Sequence, residues 1–229
     1  MDNVSPHLTV IETTPRRPLV DAVRSAFEDA MVGNSNMDER VRHVDGLCGQ
    51  KHRLFLNNLV AAMEKPSYLE IGIYRGATFC AAISNNKTRA VGVDNWSEYG
   101  GKANEFYANL AVLKGPEALV SIIEQDFRTV DYKALGPFDI GFYDASHSEK
   151  DQYDGARVIM EGFGAAGVLM IDDWNASWVR RGTMQAMRDL GAHFDFAIEV
   201  RTSFDDTMPT PAFGTSDWHN GVFAAVVSR

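Results

Sequence analysis

The chain has 229 residues, of which 45% are hydrophobic and 23% are charged, and its formal net charge is −9 at pH 7. These values exclude disordered, collagen-like and coiled-coil chains and are typical of a globular protein. The acidic balance, with Lys and Arg scattered singly or in pairs, argues against a nucleic-acid partner. No apolar run approaches the roughly 18 residues that span a bilayer, and residues 1–11 lack the pattern of a secretion signal. We therefore expect a cytoplasmic protein that does not bind membranes.

Two predicted helices precede the first predicted strand. Apolar residues recur on one face of Pro18–Met31, and Gln50–Glu64 is a second amphipathic segment. From Ser67 onward, short apolar runs bounded by turn residues are typical of buried parallel strands. The predicted strands are Ser67–Ile73, Ala90–Asp94, Ser121–Gln125, Phe138–Tyr143, Val168–Ile171, Phe196–Val200 and Val222–Val227. The predicted helices between them are Thr78–Ile83, Lys102–Leu113, Tyr132–Leu135, Glu149–Gly162 and Ser177–Leu190.

This alternation predicts an α/β fold with a doubly wound, Rossmann-like sheet of seven strands. Right-handed crossovers place helices on both faces of such a sheet and make it mostly parallel. The last two strands have no helix between them, so we expect an antiparallel C-terminal strand pair at one edge. The sequence divides into an N-terminal helical extension, residues 1–49, and the α/β domain, residues 50–229.

A glycine-containing turn follows the first predicted strand. In Glu70-Ile-Gly72-Ile-Tyr-Arg-Gly76-Ala-Thr78, glycine permits a sharp turn and a close approach of the backbone to a ligand. Ligands of doubly wound sheets bind at the carboxyl ends of the strands. The dinucleotide fingerprint G-x-G-x-x-G is absent, which favours a smaller and less anionic ligand than a dinucleotide.

Two aspartates end the next two predicted strands. Asp94 is placed to accept hydrogen bonds from a ribose diol, and Asp126 is placed to accept from an exocyclic amine. Each of them has an alternative role as the N-cap of a helix. Together with the glycine turn, they favour a ligand site at this edge of the sheet.

Three further aspartates and a histidine follow the fourth and fifth predicted strands. Asp144 ends the fourth strand with His147 three residues later, and Asp172 and Asp173 end the fifth. Because neighbouring strands lie about 4.8 Å apart, these carboxylates can converge, and their repulsion then requires a proton, a basic partner or a cation. Hard oxygen ligands favour Mg²⁺ or another divalent cation. The alternatives are helix capping by Asp172 or Asp173, pairing with Arg180 and Arg181, and a surface role for His147.

The glycine turn and the strand-ending Asp resemble those of the class I S-adenosylmethionine-dependent methyltransferases. The resemblance covers Gln50 to the C-terminus and implies that residues 50–229 form an S-adenosylmethionine-binding methyltransferase domain. It implies that Glu70, Gly72 and Gly76 line the methionine part, that Asp94 holds the ribose, and that Asp126 and Phe127 lie near the adenine. The predicted cofactor site also includes Ile73, Tyr74, Thr78, Asn95, Trp96 and Asp144.

The aspartate arrangement is similar to that of the divalent-cation-dependent O-methyltransferases, of the macrocin and catechol types. By position, this resemblance implies that Asp144, Asp172 and Asp173 are the metal ligands. The catechol type has a Lys base three residues after its first ligand, where this chain has His147, so we expect His147 to be the catalytic base. The expected acceptor is a hydroxyl of a small molecule, a sugar or a phenol of a natural product.

Aromatic residues crowd the same end of the predicted sheet. They are expected either to stack on a planar or sugar-ring acceptor or to anchor a helix to the sheet: Trp96, Tyr99, Trp174, Trp178 and Trp218. Two segments, residues 96–101 and 207–221, carry the glycines and prolines of lids.

Two other functions and the assembly state stay open. The first alternative is a metal-independent class I methyltransferase, and the second is a nucleotide- or dinucleotide-binding protein without methyl transfer. The sequence leaves open whether the protein is a homo-oligomer and whether residues 1–49 cover the acceptor pocket.

Overall fold

The structure, a computed structural model, describes residues 7–13, 17–208 and 217–229. The strands in these residues are β1 (His7–Glu12), β2 (Ser67–Ile71), β3 (Arg89–Val93), β4 (Leu119–Ile123), β5 (Phe138–Tyr143), β6 (Phe163–Asp172), β7 (His193–Arg201) and β8 (Val222–Ser228). The helices are α1 (Arg17–Val32), α2 (Gln50–Ala61), α3 (Ala77–Ile83), α4 (Ala103–Leu113), α5 (Tyr132–Leu135), α6 (Glu149–Gly162) and α7 (Ser177–Asp189). Short 3₁₀ helices cover Glu39–His43 and Phe127–Thr129. The part of the predicted lid that holds Pro209 and Pro211 lies outside the described residues.

The strands form one sheet in the order β1-β7-β8-β6-β5-β2-β3-β4. Strands β2 to β6 run parallel, so their carboxyl ends share one edge of the sheet. Strand β8 lies between β6 and β7 and is antiparallel to both. The switch point is at β2, which pairs with β3 on one side and β5 on the other. The α/β prediction, with a mostly parallel sheet and an antiparallel C-terminal pair, is confirmed.

Two details of the predicted sheet are wrong. The described residues form eight strands instead of seven, because β1 pairs antiparallel with β7 along His7–Glu12. The C-terminal pair therefore does not end the sheet, and β1 lies at the edge. The sequence does not predict β1 because five of its six residues are exposed. Its side chains therefore do not alternate between buried and exposed positions, which is the pattern that identifies a strand.

Helices cover both faces of the sheet and bury two apolar cores. One core lies under α1, α2 and α3 and includes Phe27, Phe55 and Trp218. The other lies under α5, α6 and α7. Helix α1 therefore belongs to a core that it shares with the main domain, although residues 1–49 were predicted as an extension.

Helix α2 is buried almost all round. Besides the expected apolar residues, it buries the polar side chains of His52, Arg53, Asn57 and Asn58. The Arg53 guanidinium donates to the backbone carbonyls of Val41 at 2.9 Å and Val44 at 2.8 Å. Its Nε donates to the Cys48 sulfur at 3.1 Å. Arg53 thereby fixes the segment that leads from the first 3₁₀ helix into α2.

Candidate active site

A cavity of about 490 Å³ opens at the carboxyl ends of the parallel strands. The loops after β2, β3, β4, β5 and β6 all contribute to its wall. Many of the predicted site residues line it: Gly72, Ile73, Tyr74, Thr78, Asp94, Asn95, Trp96, Asp126, Phe127, Asp144, His147, Asp172 and Asp173. Glu70 and Gly76 are not among the lining residues. Its size falls within the range typical of small-molecule sites, about 300–1,000 Å³.

Gly72 is required by a close contact between two loops. It has φ +91, and a Cβ added there would overlap the carbonyl of Asp144 and lie 2.6 Å from the backbone nitrogen of Ala145. The backbone therefore approaches the loop after β5 at this glycine, whereas the sequence predicted an approach to a ligand. Gly76 has φ +83 and is the N-cap residue of α3.

Glu70 lies beneath the glycine turn, fully buried. Its carboxyl group accepts hydrogen bonds from the Tyr68 hydroxyl and, at 2.7 Å, from the Thr78 hydroxyl. Burial raises the pKa of Glu70 to about 8. Glu70 supports the turn through Thr78, which lines the cavity.

Asp94 organises the backbone of two loops. One carboxylate oxygen accepts from the amides of Ile73 at 2.7 Å and Tyr74 at 2.9 Å, and the other accepts from the amide of Trp96 at 2.7 Å. The Trp96 indole donates to the carbonyl of Tyr74 at 2.9 Å. Asp94 thus locks the glycine turn to the loop after β3, a role that spacing alone did not indicate.

Asp126 has the capping role that the sequence offered as its alternative. It is the N-cap of the 3₁₀ helix Phe127–Thr129, and its carboxylate accepts from the Arg128 amide at 2.9 Å. The Arg128 guanidinium lies over the Phe127 ring, 4.2 Å from its centre. All three residues line the cavity, so capping does not remove Asp126 from it.

Asp144, Asp172 and Asp173, the aspartate cluster, come together as predicted from the neighbouring strand ends. Asp144 and Asp172 are hydrogen bonded to each other through their side chains, and burial, followed by repulsion within the cluster, raises the pKa of both. Asp172 Oδ1 lies 3.5 Å from Nδ1 of the buried His52, which burial keeps neutral by lowering its pKa to about 3. This histidine on α2 was not predicted.

His147 is held on both sides of its ring. Its Nε2 lies 3.1 Å from Asp173 Oδ2, and its Nδ1 lies 3.2 Å from the Gln152 amide nitrogen. The Asn220 amide donates to Asp173 Oδ1 at 2.8 Å. His147 is therefore part of the site and not an isolated surface histidine.

The arginines offered as partners of the cluster bind elsewhere. Arg180 pairs with Asp206 at 3.2 Å, and Arg181 pairs with Glu149 at 2.8 Å. Among the described residues, no group of three or more His, Cys, Asp or Glu side chains is arranged to hold a metal ion. In this arrangement Asp144 and Asp172 share a hydrogen bond, and Asp172 and Asp173 each lie beside a histidine side chain.

Three of the predicted aromatic residues serve packing. Trp174 is buried and stacks on Phe223 with ring centres 4.2 Å apart, and Trp218 stacks on Phe27 at 5.4 Å. Trp178 packs against the second core. Trp96 and Tyr99 do line the cavity.

Residues outside the predicted site residues also line the cavity. They include Gly46, Leu47 and Cys48 from the segment held by Arg53, and Met208, His219 and Asn220 from the predicted lid, residues 207–221. Residues 1–49 thus contribute to the wall.

Five cavity residues other than glycine have positive φ, a backbone strain that is common at functional sites: Tyr74, Trp96, Tyr99, Asp173 and His219.

Residues 69–174 match the family model described as a methyltransferase domain. The chain therefore contains a methyltransferase domain. The matched segment runs from β2 to the end of β6 and includes the glycine turn and the aspartate cluster. The predicted resemblance to the class I S-adenosylmethionine-dependent methyltransferases is confirmed, and the alternative of a nucleotide-binding protein without methyl transfer is not supported.

Solved structures share the fold of this methyltransferase at low sequence identity. The O-methyltransferase TomG from Streptomyces achromogenes, involved in tomaymycin synthesis and solved with SAM, is 17% identical with a TM-score of 0.53, and the match covers 94% of this chain and 92% of TomG. The SAH-bound methyltransferase PaMTH1 from Podospora anserina is 16% identical with a TM-score of 0.51, over 90% of this chain and 87% of PaMTH1. No curated protein gives a significant match.

None of the helices in the described part of the chain has the length and apolar character that crossing a bilayer requires.

Proposed function

We propose that this methyltransferase transfers the methyl group of S-adenosylmethionine to a hydroxyl of a small molecule, a sugar or phenol, with a divalent cation at the aspartate cluster. The observation that carries the proposal is that the aspartate cluster and the glycine turn share one cavity. In such a cavity, the donor would lie along the residues from Gly72 to Thr78, Asp94 to Trp96, and Asp126 to Phe127. The acceptor hydroxyl would lie at the aspartate cluster.

The chemistry of the aspartate cluster fits a hard divalent cation such as Mg²⁺. Asp144, Asp172 and Asp173 supply only oxygen atoms, and Asp172 Oδ1 is a buried oxygen without a hydrogen bond. Burial, followed by repulsion within the cluster, raises the pKa of Asp144 and Asp172, and a cation would relieve the repulsion. Binding a cation requires that the hydrogen bond between Asp144 and Asp172 is given up. When bound, the cation would lower the pKa of the acceptor hydroxyl.

His147 is the proposed proton acceptor. The attacking oxygen forms a bond to the methyl carbon as the sulfur–carbon bond breaks, giving a methyl ether, S-adenosylhomocysteine and one proton. Asp173 favours the tautomer with a proton on Nε2, so the lone pair on Nδ1 is the one that accepts. The Gln152 amide must then leave Nδ1 to the acceptor hydroxyl.

A second candidate is methyl transfer without a metal. It is favoured by the absence of a ready metal arrangement among the described residues and by the His147–Asp173 contact at 3.1 Å. In that case Asp173 is the partner of the base, and a proton shared by Asp144 and Asp172 reduces the charge of that pair from −2 to −1. The two candidates differ only in the need for a cation.

Metal dependence is tested on protein treated with EDTA and then dialysed. Formation of S-adenosylhomocysteine is measured with a panel of hydroxylated sugars and phenols, before and after addition of Mg²⁺ or Mn²⁺. Binding of Mn²⁺ is measured by electron paramagnetic resonance for the protein as it is, for Asp172→Asn, and for Asp126→Asn as a control outside the cluster. Loss of activity with EDTA, its return with metal, and weaker Mn²⁺ binding only in Asp172→Asn are expected. Full activity in EDTA would exclude the cation and support the second candidate.

A further inference from the structure

The wall of the cavity is strongly acidic. Seven of the described residues that line it are Asp or Glu. Among the same residues, Arg128 is the single Arg or Lys. Arg128 is already paired with Asp126, Asp151 and Asp154. It therefore offers little positive charge to a ligand.

The acidity extends from the aspartate cluster to the mouth of the cavity. Glu98 is an exposed lining residue in the loop after β3, beside Tyr99. Burial raises the pKa of the Tyr99 hydroxyl, and the carboxylates of Glu98, Asp173 and Asp144 raise it further. Tyr99, which also lines the cavity, is therefore within the electrostatic reach of Glu98 and of the aspartate cluster.

A bound donor and a cation would not reverse this charge. S-adenosylmethionine carries one net positive charge, from its sulfonium and ammonium groups against its carboxylate, and a divalent cation adds two. Seven carboxylates and one guanidinium then still leave an excess of negative charge. A cavity lined by one sign of charge attracts ligands of the opposite sign and repels ligands of the same sign.

We infer that the acceptor is a hydroxylated small molecule with a protonated amine, whose hydroxyl lies at the aspartate cluster and whose amine is directed to Glu98 at the mouth. This inference rests on the proposed function for the position of the hydroxyl. It excludes acceptors that carry a carboxylate or phosphate, because these would face the acidic wall without a cationic partner. Tyr99, a lining residue next to Glu98 in the chain, supplies an aromatic face of the kind that attracts ammonium groups.

The test compares three phenols of similar size and different charge: tyramine, 4-ethylphenol and 4-hydroxyphenylacetate. Their binding to the protein loaded with S-adenosylhomocysteine and Mg²⁺ is measured by calorimetry at low and high salt. We expect tyramine, which is positively charged, to bind about tenfold more tightly than the neutral 4-ethylphenol. The anionic 4-hydroxyphenylacetate should bind most weakly, and the differences in affinity should shrink in high salt. Equal binding of the three, tighter binding of the anion, or no binding by any of them would overturn the inference.

Two variants assign the preference to its residue. Glu98→Gln should reduce the ratio of the affinity for tyramine to the affinity for 4-ethylphenol about fivefold. It should leave the affinity for 4-ethylphenol itself unchanged. Glu64→Gln, at an exposed position outside the cavity lining, is the matched control and should change neither value. An unchanged ratio in Glu98→Gln would refute the role of Glu98. Because binding is measured without turnover, full activity in EDTA, or no methyl transfer to any member of the panel, would not affect these results.

Discussion

The close approach of the glycine turn to the loop after β5 makes Gly72→Ala a sharp test of the site's construction. Alanine at φ +91 costs about 1–2 kcal/mol because its Cβ crowds the backbone. The new Cβ would also overlap the carbonyl of Asp144, a backbone atom that can move only with its loop. Overpacking of this kind costs about 1–3 kcal/mol more. We therefore expect Gly72→Ala to lose about 2–5 kcal/mol of unfolding free energy.

Gly33→Ala separates the two contributions. Gly33 has a similar φ of +83, but an added Cβ would meet nothing within 4 Å. It should lose only the conformational part, about 1–2 kcal/mol. Both variants are unfolded in urea and followed by tryptophan fluorescence, with equal m-values as the condition for comparing them. If Gly72→Ala loses no more than Gly33→Ala, the contact with Asp144 does not constrain this turn.

Three further predictions address the base, the buried arginine and the buried glutamate. His147→Ala should lower kcat by about 10²–10⁴-fold while the affinity for S-adenosylmethionine, measured by calorimetry, stays within about twofold; equal losses in both would contradict its role as base. Arg53→Met should lose about 2–4 kcal/mol in urea unfolding, since the carbonyls of Val41 and Val44 lose their donor, and a loss below about 1 kcal/mol would show that they find other partners. The pKa of Glu70 is raised to about 8 from 4.5, so its contribution to stability is complete below pH 4.5 and is lost as the pH rises through about 8. Glu70→Gln cannot ionise, so its stability should fall less than that of the wild type between pH 5 and pH 8, and parallel urea midpoints would contradict the raised pKa.

Much of the fold was predictable because local sequence patterns decide it. Strand β5 and helices α5 and α6 have the predicted bounds, since each is an apolar or amphipathic run that ends at turn residues. Strand β1 was not predictable in this way because its side chains are largely exposed and its position depends on pairing with β7, more than 180 residues later. Pairing over such a distance leaves no mark within a short window of sequence.

The candidate site shows the same division. Strand-ending acidic residues and the glycine turn identify the cavity, because the carboxyl ends of parallel strands must share an edge. The roles of individual side chains were harder to predict. Asp94 binds backbone amides of the glycine turn about 20 residues earlier, and Asp173 is held by Asn220, 47 residues later. Arg53 binds carbonyl groups, which every residue possesses, so no motif could mark its partners.

The packing of Trp218 has a consequence for local unfolding and proteolysis. It stacks on Phe27 of α1 in the core, two residues before the Asn220 that holds Asp173, and the Asp217 carbonyl accepts from the first amides of α2. Helices α1 and α2 are thus tied to the segment that places His219 and Asn220 in the cavity wall. Occupation of the cavity should therefore slow proteolysis in α1 as well as in the segment before β8.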